Sequence, residues 1–150
     1  MKISKLADYA SLILVCLSDH SGRHVSAQTI AVETHLPLPT VSKLLKQLLG
    51  TGLISSTRGP KGGYRLSVPV DEISLVQIVE AIDGPILLTP CVQPMSCHLQ
   101  SHCQTSTIWQ LAQSRIYHAL ASIHLSAFNK ANHTVALPIP DVSQYTRSSR

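Results

Sequence analysis

The stretch Leu38-Pro39-Thr40-Val41-Ser42-Lys43-Leu44-Leu45-Lys46-Gln47-Leu48-Leu49-Gly50 decides the fold of this chain. Its apolar residues recur at the spacing of one helical face and predict an inward stripe. Pro39 suits a first helical residue, where its missing N–H costs nothing, and Gly50 and Gly52 end the helix. The inward stripe comprises Val41, Leu44, Leu45 and Leu48. The outward side carries Thr40, Ser42, Lys43, Lys46 and Gln47.

A second predicted helix precedes this one. Ser26 is placed to cap a helix that runs to about Thr34, and a short turn joins it to the helix at Pro39. Two helices joined in this way form a helix-turn-helix unit, whose second helix enters the DNA major groove. We therefore expect Thr40, Ser42 and Lys43 to read bases, and Lys43 and Lys46 to contact phosphate. For an isolated helix, a merely solvated polar face would be the simpler interpretation.

A basic hairpin follows and favours DNA binding over that simpler interpretation. Residues 53–57 read as a strand, 58–63 as a glycine-rich turn and 64–67 as the returning strand. Arg58 and Lys61 lie in the turn, where they can reach phosphates or a minor groove. Three helices and such a hairpin form a winged helix-turn-helix.

Further helices are predicted on both sides of this unit. The apolar rhythm from Ile3 to Leu17 gives a first helix, with Cys16 on its apolar flank as a core residue. Ser74 and Gln77 are spaced as a capping box for a fourth helix that ends near residues 83–85. Thr107 and Gln110 have the same spacing and begin a long helix that continues to about residue 127. Its apolar side is too long for a small winged domain to cover, which favours packing on a symmetry partner.

A loop of thiols lies between the last two helices. Cys91, Cys97 and Cys103 are each separated by five residues, in a segment that Pro90 and Pro94 keep from being helical. Three cysteines cannot all pair as disulfides, and soft thiolates select iron-sulfur clusters, zinc or copper(I). A structural zinc site completed by His98 or His102 is a serious alternative to an iron-sulfur cluster. The spacing leaves both cofactors open.

Composition and charge set the limits of the protein class. With 150 residues, 16.3 kDa and 44% hydrophobic residues, the chain can bury one compact core with an appended element. The formal charge is +4, divided into +5 over residues 1–66 and −1 over residues 67–150, so the first half suits a polyanion. The longest apolar run is too short to span a bilayer, and the N-terminus has no cleavage-site signature. We therefore expect a cytoplasmic protein without a membrane partner.

The sequence argues against an enzyme. It has no Cys-x-x-Cys pair, no carboxylate pair, no nucleophile triad and no phosphate-binding glycine loop, and no candidate nucleophile is expected directly at a helix N-terminus. A second class remains open. In that alternative, the chain is a zinc-stabilised interaction module, or a metal or cluster carrier, whose winged fold binds no specific DNA sequence.

The order of these motifs resembles the iron-sulfur transcriptional regulators typified by IscR and NsrR. The resemblance covers residues 1 to about 128, and it depends on the wing sequence at 58–64 together with the three cysteines. Within the family, residues 2–10 and 38–43 are most similar to the branch that regulates SUF cluster assembly.

The resemblance implies a homodimer in which Cys91, Cys97 and Cys103 hold a 2Fe-2S or 4Fe-4S cluster. Ser106 stands where the IscR pattern has a ligating histidine. Asp8 occupies the place from which NsrR-type members donate an acidic ligand across the dimer, so it is the expected fourth ligand.

The expected architecture is therefore mainly α with a small β-hairpin wing. It comprises a winged helix-turn-helix domain over 1–84, a cluster-binding loop over 85–106, a dimerisation helix over 107–130 and a disordered tail over 131–150. The expected function is that of a dimeric repressor that binds a double-stranded operator and senses cluster status, redox state or nitric oxide. Genes for iron-sulfur cluster assembly are the expected targets.

Overall fold

The secondary structure is mainly helical. A computed structural model describes residues 2–20, 22–92 and 103–128, and within these ranges the chain forms five α-helices and one β-hairpin. This confirms the predicted fold class. The elements are α1 (Lys5–Asp19), α2 (Ala27–Thr34), α3 (Leu38–Gly50), β1 (Ile54–Thr57), β2 (Gly63–Leu66), α4 (Leu75–Asp83) and α5 (Ser106–Ala121), with 3₁₀ turns at Pro90–Val92 and Leu125–Phe128.

Serine side chains begin three of the helices. Ser4 and Ser26 accept hydrogen bonds from the backbone N–H three residues later, at 3.2 and 3.0 Å. Ser74 does the same for Gln77, and the Gln77 side chain accepts the Ser74 N–H at 2.8 Å. The capping box predicted at Ser74 is therefore confirmed, and α1 begins at Lys5 because Ser4 caps it.

The hydrophobic core lies around α1 and α3. The inward stripe predicted for α3 is confirmed, since its four residues are completely buried. Ile13, Leu14 and Leu17 of α1 are at most 1% exposed and belong to the same cluster. Burying such aliphatic side chains contributes roughly 1.5–3 kcal/mol each, so this packing fixes how α3 is presented.

The wing, here β1, β2 and the turn between them, is joined to the helices by backbone pairing. Ile54 lies opposite Leu66 and Thr57 opposite Gly63 in an antiparallel register. Val25, between α1 and α2, exchanges two backbone hydrogen bonds of 2.8 Å with Tyr64. The hairpin is thus held against the start of the helix-turn-helix.

The last helix differs from its prediction at both ends. It begins at Ser106, and its N-cap Thr105 makes no side-chain cap hydrogen bond, so the capping box predicted at Thr107 and Gln110 is wrong. It ends at Ala121, although helical periodicity in the sequence continues to about residue 127 and the dimerisation helix was expected to run to 130.

The helix ends early because the chain turns back onto the winged domain. Leu75 N–H donates to the Ile123 carbonyl and Leu125 N–H donates to the Ile73 carbonyl, both at 2.7 Å. Leu125 is 1% exposed and lies in the same core cluster as Ile73. The apolar residues after Ala121, whose spacing predicted a longer helix, therefore take part in this non-local contact.

The division into a winged domain, a loop, a dimerisation helix and a tail stays a prediction. The predicted tail and most of the cysteine loop lie outside the described residues. Across 2–20, 22–92 and 103–128, every helix is too short or too polar for a transmembrane span.

Gly63→Ala tests the junction between the wing and the helices. Gly63 has φ +142°, and an added Cβ would lie 2.5 Å from the carbonyl oxygen of Val25. We expect a loss of roughly 1–3 kcal/mol in the free energy of unfolding, because backbone must move to relieve the overlap. Urea denaturation measures this. Gly50→Ala is the matched control, with nothing within 4 Å of the added Cβ, and should leave stability unchanged or higher. Equal stability of both variants would contradict the close approach.

Candidate nucleic-acid interface and metal centre

The outward side of α3 is accessible. Ser42, Lys43 and Lys46 are exposed and Thr40 is half-buried, because these residues alternate with the buried stripe at the helical period. The Gln47 side chain differs from its expected outward position, since its Oε1 atom is buried. The residues predicted to read bases or contact phosphates are thus available to a ligand, apart from Gln47.

The charge along this part of the chain has one sign. Residues 34–70, which contain α3 and the wing, hold Lys43, Lys46, Arg58, Lys61 and Arg65 and no Asp or Glu. Both predicted wing contacts, Arg58 and Lys61, are exposed at the hairpin tip. Positive charge without intervening acidic residues attracts a polyanion such as DNA.

A groove beside the wing was not predicted from the sequence. Its volume is about 460 Å³, and it is lined by residues 56–59 and 62–64 together with Ser26 and Ala27 at the start of α2. The first backbone N–H groups of a helix carry partial positive charge, and Arg58 adds a full one. The groove therefore combines two features that suit a DNA phosphate. It could not be found from sequence because it requires the wing to fold back onto α2.

The two ends of the cysteine loop, residues 91–103, lie along α5. Cys91 belongs to the 3₁₀ turn Pro90–Val92, which packs against α5. Cys103 lies just before α5 begins and is partly buried. Cys97 lies outside the described residues, as do His98 and His102. The structure thus brings the first and last cysteines of the loop to the same helix.

Gln113 holds the segment leading into the loop against α5. Its side-chain amide donates to the Ile86 carbonyl, and its Oε1 accepts the Leu88 N–H at 2.9 Å. Ile86 is 6% exposed and packs with Val76 and Val79 of α4. The start of the loop is therefore tied to both α4 and α5.

Hydrogen bonds stabilise the thiolate form of Cys103. The Thr105 hydroxyl lies 3.4 Å from the Cys103 sulfur and, with the backbone amides of Thr105 and Ser106, lowers the pKa of this thiol. A lowered thiol pKa is characteristic of metal-ligating and reactive cysteines. Cys103 lies two residues before Thr105, the N-cap of α5, so its thiol is near the start of this helix.

The family resemblance drew attention to Asp8, the expected fourth ligand, and to Ser106, which stands in place of a ligating histidine. Asp8 is exposed in the first turn of α1, beside a shallow, mainly apolar pocket of about 180 Å³ that Ile3 and Phe128 also line. Ser106 is the first residue of α5, and its hydroxyl donates to the Cys103 carbonyl at 3.2 Å. The residue that replaces the expected histidine thus hydrogen-bonds backbone beside Cys103.

A second group of metal-ligating side chains was missed in the sequence. Cys16 is a core residue, as predicted, but its sulfur also donates to Glu33 Oε2 at 3.2 Å. His20 Nε2 lies 2.9 Å from the same oxygen. The one available signal was the four-residue spacing of Cys16 and His20, which places both on one face of α1.

The chain matches a protein family over nearly all of this structure. The profile of the Rrf2 family, described as iron-dependent transcriptional regulators, matches residues 3–130. The chain belongs to the Rrf2 family. Membership confirms the predicted resemblance to regulators such as IscR and the prediction of a DNA-binding transcriptional regulator, not an enzyme.

Individual relatives agree with this placement. The chain is 32% identical over 134 residues to a Haemophilus influenzae protein provisionally named an HTH-type transcriptional regulator, covering 88% of this chain and 89% of that one. It is 29% identical over 138 residues to the transcriptional regulator IscR of Vibrio campbellii, covering 91% and 82%. The structure of CymR, the global cysteine regulator of Bacillus subtilis, superimposes with a TM-score of 0.67 at 24% identity, covering 85% and 95%, and supports the fold.

Thr105→Val tests the environment of Cys103 in this Rrf2 protein. Removing the hydroxyl should raise the pKa of the thiol, so at a pH below that pKa the thiolate fraction should fall and alkylation by iodoacetamide should slow. The rate is measured on the metal-free full chain by mass spectrometry of the peptide that contains Cys103. Thr107→Val, at the second residue of α5, is the control and should alkylate at the original rate. Identical rates in both variants would refute the hydrogen-bond effect.

Proposed function

We propose that this Rrf2 regulator is a dimeric repressor whose operator affinity depends on an iron-sulfur cluster held by Cys91, Cys97 and Cys103. The observation that carries the proposal is the placement of both ends of the cysteine loop on α5, with Cys103 favoured as thiolate. The family description as iron-dependent and the relatives named IscR support it. A bound 2Fe-2S or 4Fe-4S cluster would supply a covalent link that oxidants, nitric oxide or iron loss can break.

The chemistry of the three cysteines fits such a cofactor. Thiolate ligands suit iron-sulfur clusters, and the N-terminal end of α5 adds backbone N–H groups that stabilise negative sulfur. The same donors suit zinc, which remains the alternative and would make this loop a structural site. Assay of iron and acid-labile sulfide distinguishes the two, because only the cluster contains them.

The exposed apolar side chains of α5 are the basis for proposing a homodimer. No residue of this helix is buried, and Ile108 and Leu111 are 67% and 57% exposed. They share a face with Arg115 and Ala119, each three or four residues from the next. Exposed apolar side chains in a helical stripe are typical of an interface. A second copy placed along α5 would cover them and align two recognition helices with a palindromic operator.

The dimer also accounts for the fourth ligand. Asp8 is exposed in α1, and the apolar pocket beside it could receive the cysteine loop of the other chain. A carboxylate from the partner would then join three thiolates of one chain. Oxygen ligation leaves an iron site more reactive than four thiolates would, which suits a sensor.

The attachment of α5 provides a route from the cysteine loop to the DNA-binding elements. Its C-terminal end is bonded to the start of α4 through residues 123–125, and α4 packs against α1 and α3. A change at the cysteine loop that moves α5 would therefore displace α3 and the wing together. Coupling of about 1–3 kcal/mol between cluster state and operator affinity is typical of such switches.

We further propose that the controlled genes serve iron-sulfur cluster assembly. A repressor that reads a cluster made by those genes gives a direct feedback, and residues 2–10 and 38–43 are most similar to the branch that regulates SUF assembly.

Arg58→Ala with Lys61→Ala tests the wing. If both side chains contact phosphates, the double variant should weaken DNA binding and reduce the slope of log affinity against log salt by about 2. Fluorescence anisotropy over a salt series measures the slope. Lys5→Ala, at the first residue of α1, is the control. It removes a positive charge outside α3 and the wing and should keep the original slope. An unchanged slope in the double variant would remove the wing from the interface.

The cluster is tested by anaerobic purification followed by iron and sulfide assay, a visible spectrum and operator affinity before and after cluster removal. We expect iron and sulfide with the coloured spectrum of a cluster, and at least about a fivefold difference in operator affinity, the lower end of typical coupling. Replacing Cys91, Cys97 and Cys103 by serine should abolish both. Cys16→Ala is the matched control and should retain the cluster. Colourless protein without iron and sulfide, or equal affinity with and without the cluster, would overturn the proposal.

A further inference from the structure

We propose that Cys16, His20 and Glu33 form a second metal site, for a borderline divalent cation such as Zn²⁺, where α1 meets α2. Their ligand atoms all lie within 4.8 Å of one another. Three side chains of metal-ligating type therefore come together at this point. Thiolate, imidazole and carboxylate are the donors that zinc takes in proteins. The proposal depends on these residues alone and is independent of the cysteine loop.

The geometry is close to that of a metal-bound set. Glu33 Oε2 lies 3.2 Å from the Cys16 sulfur and 2.9 Å from His20 Nε2. Tetrahedral zinc with its usual bond lengths separates neighbouring ligand atoms by roughly 3.3–3.8 Å. The two pairs that include Glu33 therefore need to spread by only a few tenths of an ångström. The Cys16 sulfur and the His20 nitrogen already lie within 4.8 Å of one another, and side-chain rotation can bring them into the same range. In the metal-free arrangement, the hydrogen bonds to Glu33 hold the same donors together.

The backbone holds the three donors in place without any loop. Cys16 and His20 are four residues apart, at the last turn of α1 and its C-cap, and Glu33 is in the last turn of α2. Leu17 of α1 and Ile30 of α2 are at most 1% exposed in the shared core, so the two helices cannot separate freely. A site built on packed helices loses little conformational entropy when an ion binds.

An ion can reach the site from solvent. Cys16 is 7% exposed, whereas the His20 and Glu33 side chains are 25% and 42% exposed. A pocket of about 200 Å³ opens beside the thiol and is lined by Leu12, Val15, Cys16, Asp19, Glu33 and Thr34. Water can fill the fourth coordination position from this pocket. A buried sulfur with more exposed nitrogen and oxygen donors is a common arrangement for an ion that approaches from one side.

An ion at this position would act on the DNA-binding unit. Glu33 lies two residues before His35, the left-handed residue that turns the chain from α2 into α3. Fixing Glu33 to α1 would restrict that turn and the start of α3. The site would thus stabilise the helix-turn-helix in the conformation that presents Ser42, Lys43 and Lys46.

The test uses Co²⁺ and Zn²⁺ on the full chain with Cys91, Cys97 and Cys103 replaced by serine, so that the cysteine loop cannot contribute thiolate. We expect one Co²⁺ per chain with a near-ultraviolet thiolate-to-cobalt charge-transfer band, and a higher unfolding temperature with Zn²⁺. Cys16→Ser should abolish the band. His20→Gln and Glu33→Gln, both at accessible positions that leave the core intact, should each weaken Co²⁺ binding by at least about tenfold.

His118→Gln, an exposed histidine of α5, is the control and should bind Co²⁺ as before. Absence of the thiolate band in the folded protein that lacks the loop cysteines would overturn the proposal. So would unchanged Co²⁺ affinity in both His20→Gln and Glu33→Gln. Because the loop cysteines are absent, failure here leaves the proposed cluster function untouched, and failure of the cluster leaves this site untouched.

Discussion

The short antiparallel contact between residues 73–75 and 123–125 is the constraint on which the rest of the structure depends. Two backbone hydrogen bonds of 2.7 Å join these segments, and Ile73 and Leu125 are buried together in the main core. This contact prevents α5 from extending away as an independent arm. The two described ends of the cysteine loop and α3 are thereby parts of one packed unit, which makes communication between them mechanically possible.

The other half of the molecule is organised by the separation of apolar and cationic side chains. The stripe of α3 is buried against α1, and this burial turns Ser42, Lys43 and Lys46 outward. The wing adds Arg58 and Lys61 on the same uninterrupted basic segment, 34–70. Hydrophobic packing therefore determines where the charge is displayed, and membership of the Rrf2 family agrees with DNA as the polyanion.

Sequence reasoning succeeded where local chemistry decides the outcome. The α3 stripe, the capping box at Ser74 and the hairpin each depend on residues within a few positions of one another. It failed for the end of α5, because the contact of Leu125 with Ile73 joins residues about fifty apart and competes with helical periodicity. The Cys16, His20 and Glu33 group escaped notice for the same reason, since its carboxylate comes from a second helix. Cys97 and the predicted tail lie outside the described residues, so their parts of the cysteine loop and of the domain plan stay predictions.

The setting of Cys103 has a consequence for the lifetime of the protein. Hydrogen bonds from Thr105 and nearby backbone amides lower the pKa of its thiol in the metal-free chain. A thiolate that is partly accessible is also the form of cysteine that peroxide attacks first, giving sulfenic acid. Under the proposed cluster-binding function, a chain without its cofactor is therefore vulnerable to oxidation at one of the proposed ligand sulfurs. Prompt metallation after synthesis would protect that sulfur, and the age of a metal-free chain would then help to determine whether it can still be activated.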